Sequence, residues 1–481
     1  MASSQQLRSS SKQNILIIAG IILSGLCWYI SDGLNGTFYW LMWFAPIPVL
    51  IISFNSSGKK TFIIAFTAYL IGRLSWFSYL VSVATIVPAV IFTILIPLIF
   101  GLIIIATRQI VLRNKSWLGV FAYPVFFTLF EFLVIKFSKD GSASSIAYSQ
   151  SDFLPIIQIA ALTGMLGISF IISFIPSAIA VGWYYRKQIN KLKPLIIVSS
   201  SIIILVFLFG IIRLRNTSKT NSIKAGLVVL DEHLHDMSNH PDFIKGIKLA
   251  EDYAQQISML ASQDAQLIVL PERALNINKE SDSAVMNILM NAAKEDHVYI
   301  ITGYTNFKDA DERNSSLVIS ADGNVLADYN KVHLVTGLED QFKPGTQTTL
   351  FKFKSIQAGT AICKDLDFPN YIKQYGNDDV SILCIPAWDF ITDDWLHSRM
   401  AILRGVENGF SEVRTARQGR LTISDCLGRV SAEANSSAGK TVSLTGNVSV
   451  EKRNTIYSRF GNWFGILNII AAVFLIFYKR K

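Results

Sequence analysis

Three residues in the C-terminal half of the chain each stand at the end of a predicted strand and could take part in acyl chemistry. Glu272 follows an apolar strand, Lys331 follows a hairpin-like turn, and Cys363 stands between a strand and a probable helix. A thiolate is a nucleophile, a carboxylate can carry protons, and an ammonium group can stabilise a developing oxyanion. The three residue types in this order predict a cysteine-based site for acyl transfer or hydrolysis.

Taken singly, each residue has a more ordinary interpretation. Glu272 could be a solvated loop residue, Lys331 a surface charge and Cys363 a small core residue. A cysteine at a strand–helix turn can, however, lie near backbone N–H groups that lower its pKa and form an oxyanion hole. Lys364 adds a cation beside the thiol. We therefore expect an accessible thiolate with a lowered pKa.

The segment that carries these residues differs in composition from the rest of the chain. Upstream of it, apolar runs are close to the ~20 residues that cross a bilayer, and they lie near 14–31, 37–54, 61–82, 86–107, 117–137, 162–184 and 194–212. Beyond them, short apolar runs alternate with charged, helix-like stretches, as in an α/β domain. We predict a membrane domain of seven helices at 1–220, a catalytic domain at 221–453, and a last transmembrane helix at 454–481.

The overall composition agrees with a membrane protein. Of the 481 residues, 51% are hydrophobic and 16% are charged, whereas soluble domains have about 25% charged residues. These values exclude a disordered chain and argue against a wholly soluble protein. The four cysteines are too few for a disulfide framework in a chain of this length.

Basic residues indicate the orientation in the membrane. They are concentrated in alternate connecting segments, at Arg8, Lys12, Lys59, Lys60, Arg108, Arg113, Lys115, Arg186, Lys187, Lys191, Lys193, Lys479, Arg480 and Lys481. The positive-inside rule places these segments in the cytoplasm and the α/β domain outside it. The net charge of +9 therefore reflects topology, and we expect no nucleic-acid partner.

Further motifs extend beyond the three residues. They are Glu131-Phe132 in the fifth predicted span, the block 148–170, Lys331-Val-His333 followed by Glu339, and the stretch 395–407. With the predicted layout of eight spans, they make the chain resemble the bacterial apolipoprotein N-acyltransferases, which are membrane-embedded members of the nitrilase superfamily. The resemblance covers essentially the whole chain. It implies about eight transmembrane helices and an extracytoplasmic nitrilase-like domain, an α-β-β-α sandwich, in the bacterial cytoplasmic membrane.

The resemblance also implies a reaction and roles for the residues. The family transfers an acyl group from a membrane phospholipid to the N-terminal amine of the diacylglyceryl-cysteine of a lipoprotein. Cys363 would be the nucleophile, Glu272 the general base and then acid, and Lys331 the oxyanion stabiliser. Glu339 and Asp365 would orient Lys331 or the acceptor amine. Neither a metal nor an organic cofactor is expected.

The chain departs from the family pattern beside the predicted site. Lys364 stands where an aromatic residue is common, and Asp365 stands in place of a glutamate. The family's Ser-Asn-Asp-Ala-Trp-Phe segment is reduced to residues 385–390, which keep Trp388. These changes fall where acyl chains, head groups or the acceptor would dock. Lys364, Asp365 and Trp388 are therefore candidates for contacts with substrate.

Two other classes of function stay open at this point. One is a membrane-tethered carbon–nitrogen hydrolase that uses water as acceptor, and the other is a non-catalytic scaffold. Cys384 lies in an apolar run and is predicted to be a core residue. The histidines at positions 233, 235 and 240, with the acids around them, are interpreted as a solvated loop rather than a metal site, because their spacing lacks a rigid element.

Overall fold

The first part of the chain is entirely helical. The computed structural model describes residues 2–31, 33–215, 221–235, 242–308 and 311–478. Its N-terminal helices are α1 (Ala2–Ile30), α2 (Pro46–Phe54), α3 (Gly58–Arg73), α4 (Phe77–Ala84), α5 (Ile86–Asn114), α6 (Ala122–Phe137), α7 (Leu154–Ile157), α8 (Ala160–Thr163), α9 (Met165–Tyr184) and α10 (Ile189–Arg215). The basic residues predicted at 479–481 lie outside the described residues.

Within the described residues, six helical segments are long and apolar enough to cross a membrane. They are Gln13–Ile30, Gly58–Ala84, Ile86–Asn114, Trp117–Phe137, Met165–Tyr184 and Ile189–Arg215, and shorter apolar helical segments occur at Tyr39–Phe54, Leu154–Thr163 and Trp463–Phe477. The count is compatible with the predicted eight spans, because two shorter segments coincide with the second and last predicted spans.

One predicted span begins later than expected. The sequence predicts a helix from residue 162, but α9 begins at Met165 because Gly164 breaks the helix with a φ of +67°. A Cβ atom at Gly164 would also lie 2.5 Å from the ring of Tyr457. The residue must therefore be glycine for conformation and for close packing.

The α/β part contains two sheets. Its strands are β1 (Ser222–Val229), β2 (Leu267–Val269), β3 (Leu275–Ile277), β4 (Tyr299–Asn306), β5 (Arg313–Ile319), β6 (Val325–Asn330), β7 (Thr349–Phe353), β8 (Ile356–Thr360), β9 (Ile382–Trp388), β10 (Ser411–Arg417), β11 (Arg420–Ser424), β12 (Val430–Asn435) and β13 (Val442–Ser449). The first sheet has the order β13-β1-β2-β4-β5-β6, with β3 paired to β4, and the second has the order β12-β11-β10-β9-β8-β7.

Helices cover the outer face of each sheet. They are α11 (Phe243–Ala261), α12 (Asp282–Glu295), α13 (Pro369–Asn377) and α14 (Asp394–Asn408), and α15 (Ile456–Phe460) and α16 (Trp463–Phe477) follow the last strand. Successive residues of β2 alternate, since Leu267 and Val269 join the core between the sheets and Ile268 packs under the outer helices. This period of two is what a strand covered on both faces requires. The predicted α-β-β-α sandwich is confirmed.

The helical and α/β parts share a packed interface. Side chains of α14 belong to the same buried cluster as the membrane helices, among them Trp395, Met400 and Leu403. The backbone N–H of Met165, at the start of α9, donates a 2.7 Å hydrogen bond to the buried carboxylate of Glu407. The α/β part is therefore seated on the helical part rather than tethered to it by a linker.

A second contact joins a membrane-domain loop to the turn that contains the predicted nucleophile. Glu131 in α6 accepts hydrogen bonds from Ser145 Oγ at 3.0 Å and from the backbone N–H of Ile146 at 2.8 Å. These bonds hold the loop 138–146. At its centre, a Cβ on Gly141 would lie 2.3 Å from the carbonyl oxygen of Asp367, in the turn that follows Cys363. Glycine allows this close approach and its φ of +52°.

Candidate active site

Glu272, Lys331 and Glu339 form one buried ionic cluster. Lys331 Nζ lies 2.6 Å from Glu272 Oε1 and 2.8 Å from Glu339 Oε2. Asn314 Nδ2 donates a 2.6 Å hydrogen bond to each carboxylate. The backbone N–H of Glu272 bonds the carbonyl oxygen of Ala387 at 3.2 Å, which places the carboxylate where the two sheets meet. The cluster holds the ammonium group and the predicted base in fixed positions.

Cys363 lies in a tight turn between β8 and α13. Its φ is +40°, which is uncommon for a residue with a side chain and costs free energy that the surrounding contacts must supply. The thiol donates to the carbonyl oxygen of Trp388 across 3.4 Å. This strained position points the sulfur toward the edge of the sheet, beside the ionic cluster.

Asp365 braces the turn that carries the nucleophile. Its carboxylate accepts hydrogen bonds from the backbone N–H of Ile362 at 3.0 Å and from that of His333 at 2.9 Å. It also accepts one from the Tyr329 hydroxyl at 2.6 Å. Because Tyr329 and His333 stand on either side of Lys331, Asp365 fixes the lysine segment relative to the cysteine turn. It is not among the residues that line the cavity described next.

The predicted triad faces a cavity of about 370 Å³. Glu272, Lys331 and Cys363 all line it, and so do Glu339, Lys364 and Trp388. Part of its wall comes from the membrane domain, through Tyr79, Val83, Asp140 and Ala143. The structure therefore brings together every predicted site residue except Asp365 around one space that both parts of the chain enclose.

Comparisons with known proteins agree with this architecture. The profile of the apolipoprotein N-acyltransferase N-terminal domain matches residues 24–178, and that of carbon-nitrogen hydrolases matches residues 234–445. The chain is 24% identical over 459 residues to an apolipoprotein N-acyltransferase of Rickettsia bellii, covering 88% of this chain and 89% of the relative. It is 22% identical over 492 residues to that of Geobacter metallireducens, covering 92% and 91%.

The chain belongs to the apolipoprotein N-acyltransferase family. The predicted family is confirmed, and the chain is a multi-pass membrane protein with an acyltransferase-type nitrilase-like domain. Among solved structures, an amidase from Nesterenkonia sp. is similar with a TM-score of 0.43 and 16% identity, covering 53% of this chain and 98% of the amidase.

The thiol of this family member is more strongly protonated than the sequence suggests. Burial raises the pKa of Cys363 well above its ordinary value, and Glu272 raises it further, while Lys331 opposes the shift. Lys364, expected to lower this pKa, directs its ammonium group away to Asp140, 2.6 Å distant. The expectation of a thiolate with a lowered pKa was therefore wrong, and the nucleophile needs a base.

Glu272 has the properties of that base. Burial raises its pKa above the ordinary glutamate value and Glu339 adds to the rise, although Lys331 opposes it. For Glu339, burial acts in the same upward direction, but Lys331 outweighs it and lowers the pKa. The two carboxylates therefore differ, with Glu272 the better proton acceptor and Glu339 the permanent counter-ion. Separated pKa values of this kind assign acid–base roles.

Several residues of the site were not singled out from the sequence, although Asp389 and His397 lie within the family-like stretches 385–390 and 395–407. Asp389 binds the guanidinium of Arg414 through both oxygens, at 2.5 and 3.0 Å, and His397 Nε2 lies 3.0 Å from Asp393. Potential ligand atoms of Cys363, Asp389 and His397 lie within 4.8 Å of one another. Asp389 is paired with Arg414, and His397 is paired with Asp393. Ion pairing therefore explains why these groups lie close together, and we keep the prediction that no metal is required.

The other cysteine and histidine residues considered from the sequence have structural roles where the structure describes them. Cys384 is fully buried between the sheets, as predicted for a core residue. His235 bonds the Tyr253 hydroxyl at 3.0 Å and the Asp231 carbonyl at 3.1 Å, so it anchors its segment. His240, from the same predicted histidine loop, lies outside the described residues.

Proposed function

We propose that this protein transfers a fatty acyl group from a membrane phospholipid to the N-terminal amine of the diacylglyceryl-cysteine of lipoproteins, through a thioester on Cys363. The main observation in support of this proposal is the cavity that the membrane domain and the α/β part enclose together. A cysteine, a buried glutamate and a buried lysine face a space whose wall includes membrane helices, in a chain of the apolipoprotein N-acyltransferase family.

In the first half-reaction, the sulfur of Cys363 attacks the carbonyl carbon of a phospholipid ester. Glu272 accepts the thiol proton as the carbon–sulfur bond forms, and the Lys331 ammonium stabilises the negative charge on the carbonyl oxygen. The carbon–oxygen bond of the ester then breaks, and Glu272 returns the proton to the departing alkoxide. The products are a lysophospholipid and an acyl thioester on Cys363.

In the second half-reaction, the acceptor amine attacks the thioester carbonyl. Glu272 takes a proton from the nitrogen, and Lys331 again stabilises the oxyanion. The carbon–sulfur bond breaks and the proton passes to sulfur, which leaves an amide on the lipoprotein and a free Cys363 thiol. Glu272 can act as the base in both steps because it returns its proton at the end of the first. Between the two steps the acyl group is held on Cys363 as a thioester, which is ping-pong behaviour.

The membrane-domain wall supports a lipid acyl donor. The apolar residues Val83 and Ala143 line the same cavity as the nucleophile, and so does the aromatic residue Tyr79. An acyl chain that enters along this wall needs little extraction from the bilayer. The apolar wall also limits access of water, which favours transfer over hydrolysis.

We also propose the orientation and the domain limits read from the sequence, with residues 221–453 as the catalytic domain outside the cytoplasm between membrane segments 1–220 and 454–481. The distribution of basic residues supports this orientation. A reporter active only outside the cytoplasm should function when fused after Asn221 and fail when fused after Lys193. The reverse pattern would overturn the orientation and the lipoprotein acceptor with it.

A trapped intermediate tests the reaction. With phospholipid and no acceptor, the protein should gain the mass of one acyl group on the peptide that contains Cys363, and neutral hydroxylamine should remove it. Cys363→Ala should gain none, whereas Cys384→Ala is the matched control and should label normally. Mass spectrometry of a lipoprotein N-terminal peptide should then show the acyl group on the amine. Steady release of free fatty acid without label or transfer would favour the hydrolase alternative.

A further inference from the structure

Among the described residues that line the cavity, one cation forms no ion pair with a carboxylate. Four cationic side chains line it. Lys331, Lys364 and His397 each lie within 3.0 Å of a carboxylate oxygen. Within the described residues, Arg273 makes no ion pair at all, although it directly follows Glu272 in the chain. An arginine that lies beside a catalytic base and forms no ion pair with a described carboxylate is available to an anion that enters with a substrate.

The guanidinium of Arg273 is held in place by aromatic rings. Its central carbon lies 5.1 Å from the ring centroid of Phe342 and 5.7 Å from that of Trp388. Nε donates to the Thr305 hydroxyl at 3.1 Å, and the two terminal nitrogens make no hydrogen bond to other described residues. Stacking and one bond fix the plane of the group, while two pairs of N–H donors remain for a ligand.

The backbone conformation and the burial of Arg273 both cost free energy. Its φ is +50°, a left-handed conformation that non-glycine residues seldom adopt. Burial also lowers its pKa, although Glu272 and Glu339 oppose that shift, so the charged form gives up part of its hydration. Strained, partly desolvated groups of this kind concentrate at ligand sites, where a substrate completes their interactions.

We propose that Arg273 binds the phosphodiester of the phospholipid acyl donor. This inference rests on the proposed function and names the part of the donor that the site recognises. A guanidinium fork matches two phosphate oxygens, and a short glycerol unit separates that phosphate from the ester carbonyl. Since Arg273 and Glu272 are adjacent, one lipid can present its phosphate to the arginine and its ester to the base and thiol.

The charge of Arg273 also separates the two half-reactions. The acyl donor brings a negative phosphate, whereas the acceptor brings an amine that is protonated in water. Arg273 therefore attracts the donor and its lysophospholipid product and repels the acceptor's cationic form. Release of the lysophospholipid has to precede productive binding of the acceptor, as ping-pong transfer requires.

The test compares acyl donors with and without phosphate. Acylation of Cys363 in the full-length protein would be followed by intact mass, with phosphatidylethanolamine or with diacylglycerol of the same acyl chains. In Arg273→Gln, the phospholipid-to-diacylglycerol rate ratio should fall about 10- to 100-fold, the loss expected for hydrogen bonds to a charged group, mainly through KM. Arg273→Lys should recover part of the ratio. Lys343→Gln, which removes a solvent-facing cation paired with Asp311, should leave it unchanged.

The other possible outcomes separate this proposal from its alternatives. If Arg273→Gln slows acylation equally with both acyl donors, Arg273 supports Glu272, and if it leaves both rates unchanged, Arg273 has no part in donor recognition; either result overturns the inference while the acyl-enzyme and the proposed function stand. Absence of acyl-enzyme in the unaltered protein would instead reject the function itself. Glycerophosphoethanolamine should compete with the phospholipid, and stronger competition by inorganic phosphate would indicate a site for a free anion rather than for a lipid.

Discussion

Replacing Lys331 by methionine should destabilise the protein as well as inactivate it. The ammonium group is 1% exposed and lies 2.6 and 2.8 Å from the carboxylates of Glu272 and Glu339. Without it, two buried carboxylates face each other. Removing one partner of a buried ion pair costs about 3–5 kcal/mol. For a domain of this size, that free energy corresponds to a fall in Tm of roughly 6–20 °C.

The pH dependence of this loss follows from the same geometry. Without Lys331, burial and mutual repulsion raise the pKa of both carboxylates above their values in the unfolded chain. Folding then favours their protonated forms, so the destabilisation is smallest at low pH and grows as the pH rises above the unfolded pKa. The Tm deficit of Lys331→Met should therefore be larger at pH 8 than at pH 5.5.

Thermal unfolding of the purified full-length protein in detergent, followed by tryptophan fluorescence, measures both effects. Cys363→Ala is the control, because that change removes the nucleophile and leaves the ionic cluster intact. The variant that combines Lys331→Met with Glu272→Gln and Glu339→Gln should regain most of the lost Tm, since no buried charge remains. A Tm within 2 °C of the unaltered protein for Lys331→Met at pH 8 would contradict the buried cluster.

The remaining predictions concern the base and the interface. The acylation kcat/KM should fall as the pH drops through a value above the ordinary glutamate pKa, because burial raises the pKa of Glu272; Glu339→Gln should move this limb to lower pH, and a shift to higher pH would contradict the assignment. Lys364→Asp should slow acylation because it sets like charges against Asp140, and adding Asp140→Lys should restore the rate. A double variant no faster than the single one would show that the pair does not position the nucleophile turn.

The sequence indicates which side chains come together at the candidate site because each of them follows a strand. Glu272, Lys331 and Cys363 follow β2, β6 and β8, which belong to both sheets, and the ends of these strands meet around one cavity. The same periodicity predicts an α/β domain, and the resemblance to the family implies its four-layer arrangement. The type and approximate position of an element are therefore readable from local pattern, and so is the set of side chains at its end.

The sequence does not show where these side chains point or which residues they pair with. Lys364 was expected to act on the thiol, but its partner is Asp140, 224 residues earlier in the chain. Asp365 was assigned to Lys331 or the acceptor amine, and the structure makes it a brace for the backbone on both sides of the lysine. Arg273 escaped notice because a cation after a glutamate is a common surface pattern. Only the fold shows that, among the described residues, it forms no ion pair and lines the cavity.

The loop 138–146 has a consequence for the order of assembly. Asp140 precedes its partner Lys364 by 224 residues, which at ordinary synthesis speeds is a delay of roughly 10 to 45 s. The membrane helices and this loop can therefore be in place before the cysteine turn leaves the ribosome. The turn would then fold against a surface that already exists. In a nascent chain released before the loop has crossed to its side of the membrane, the catalytic sequence would be intact. The loop against which the Cys363 turn packs would, however, be out of place.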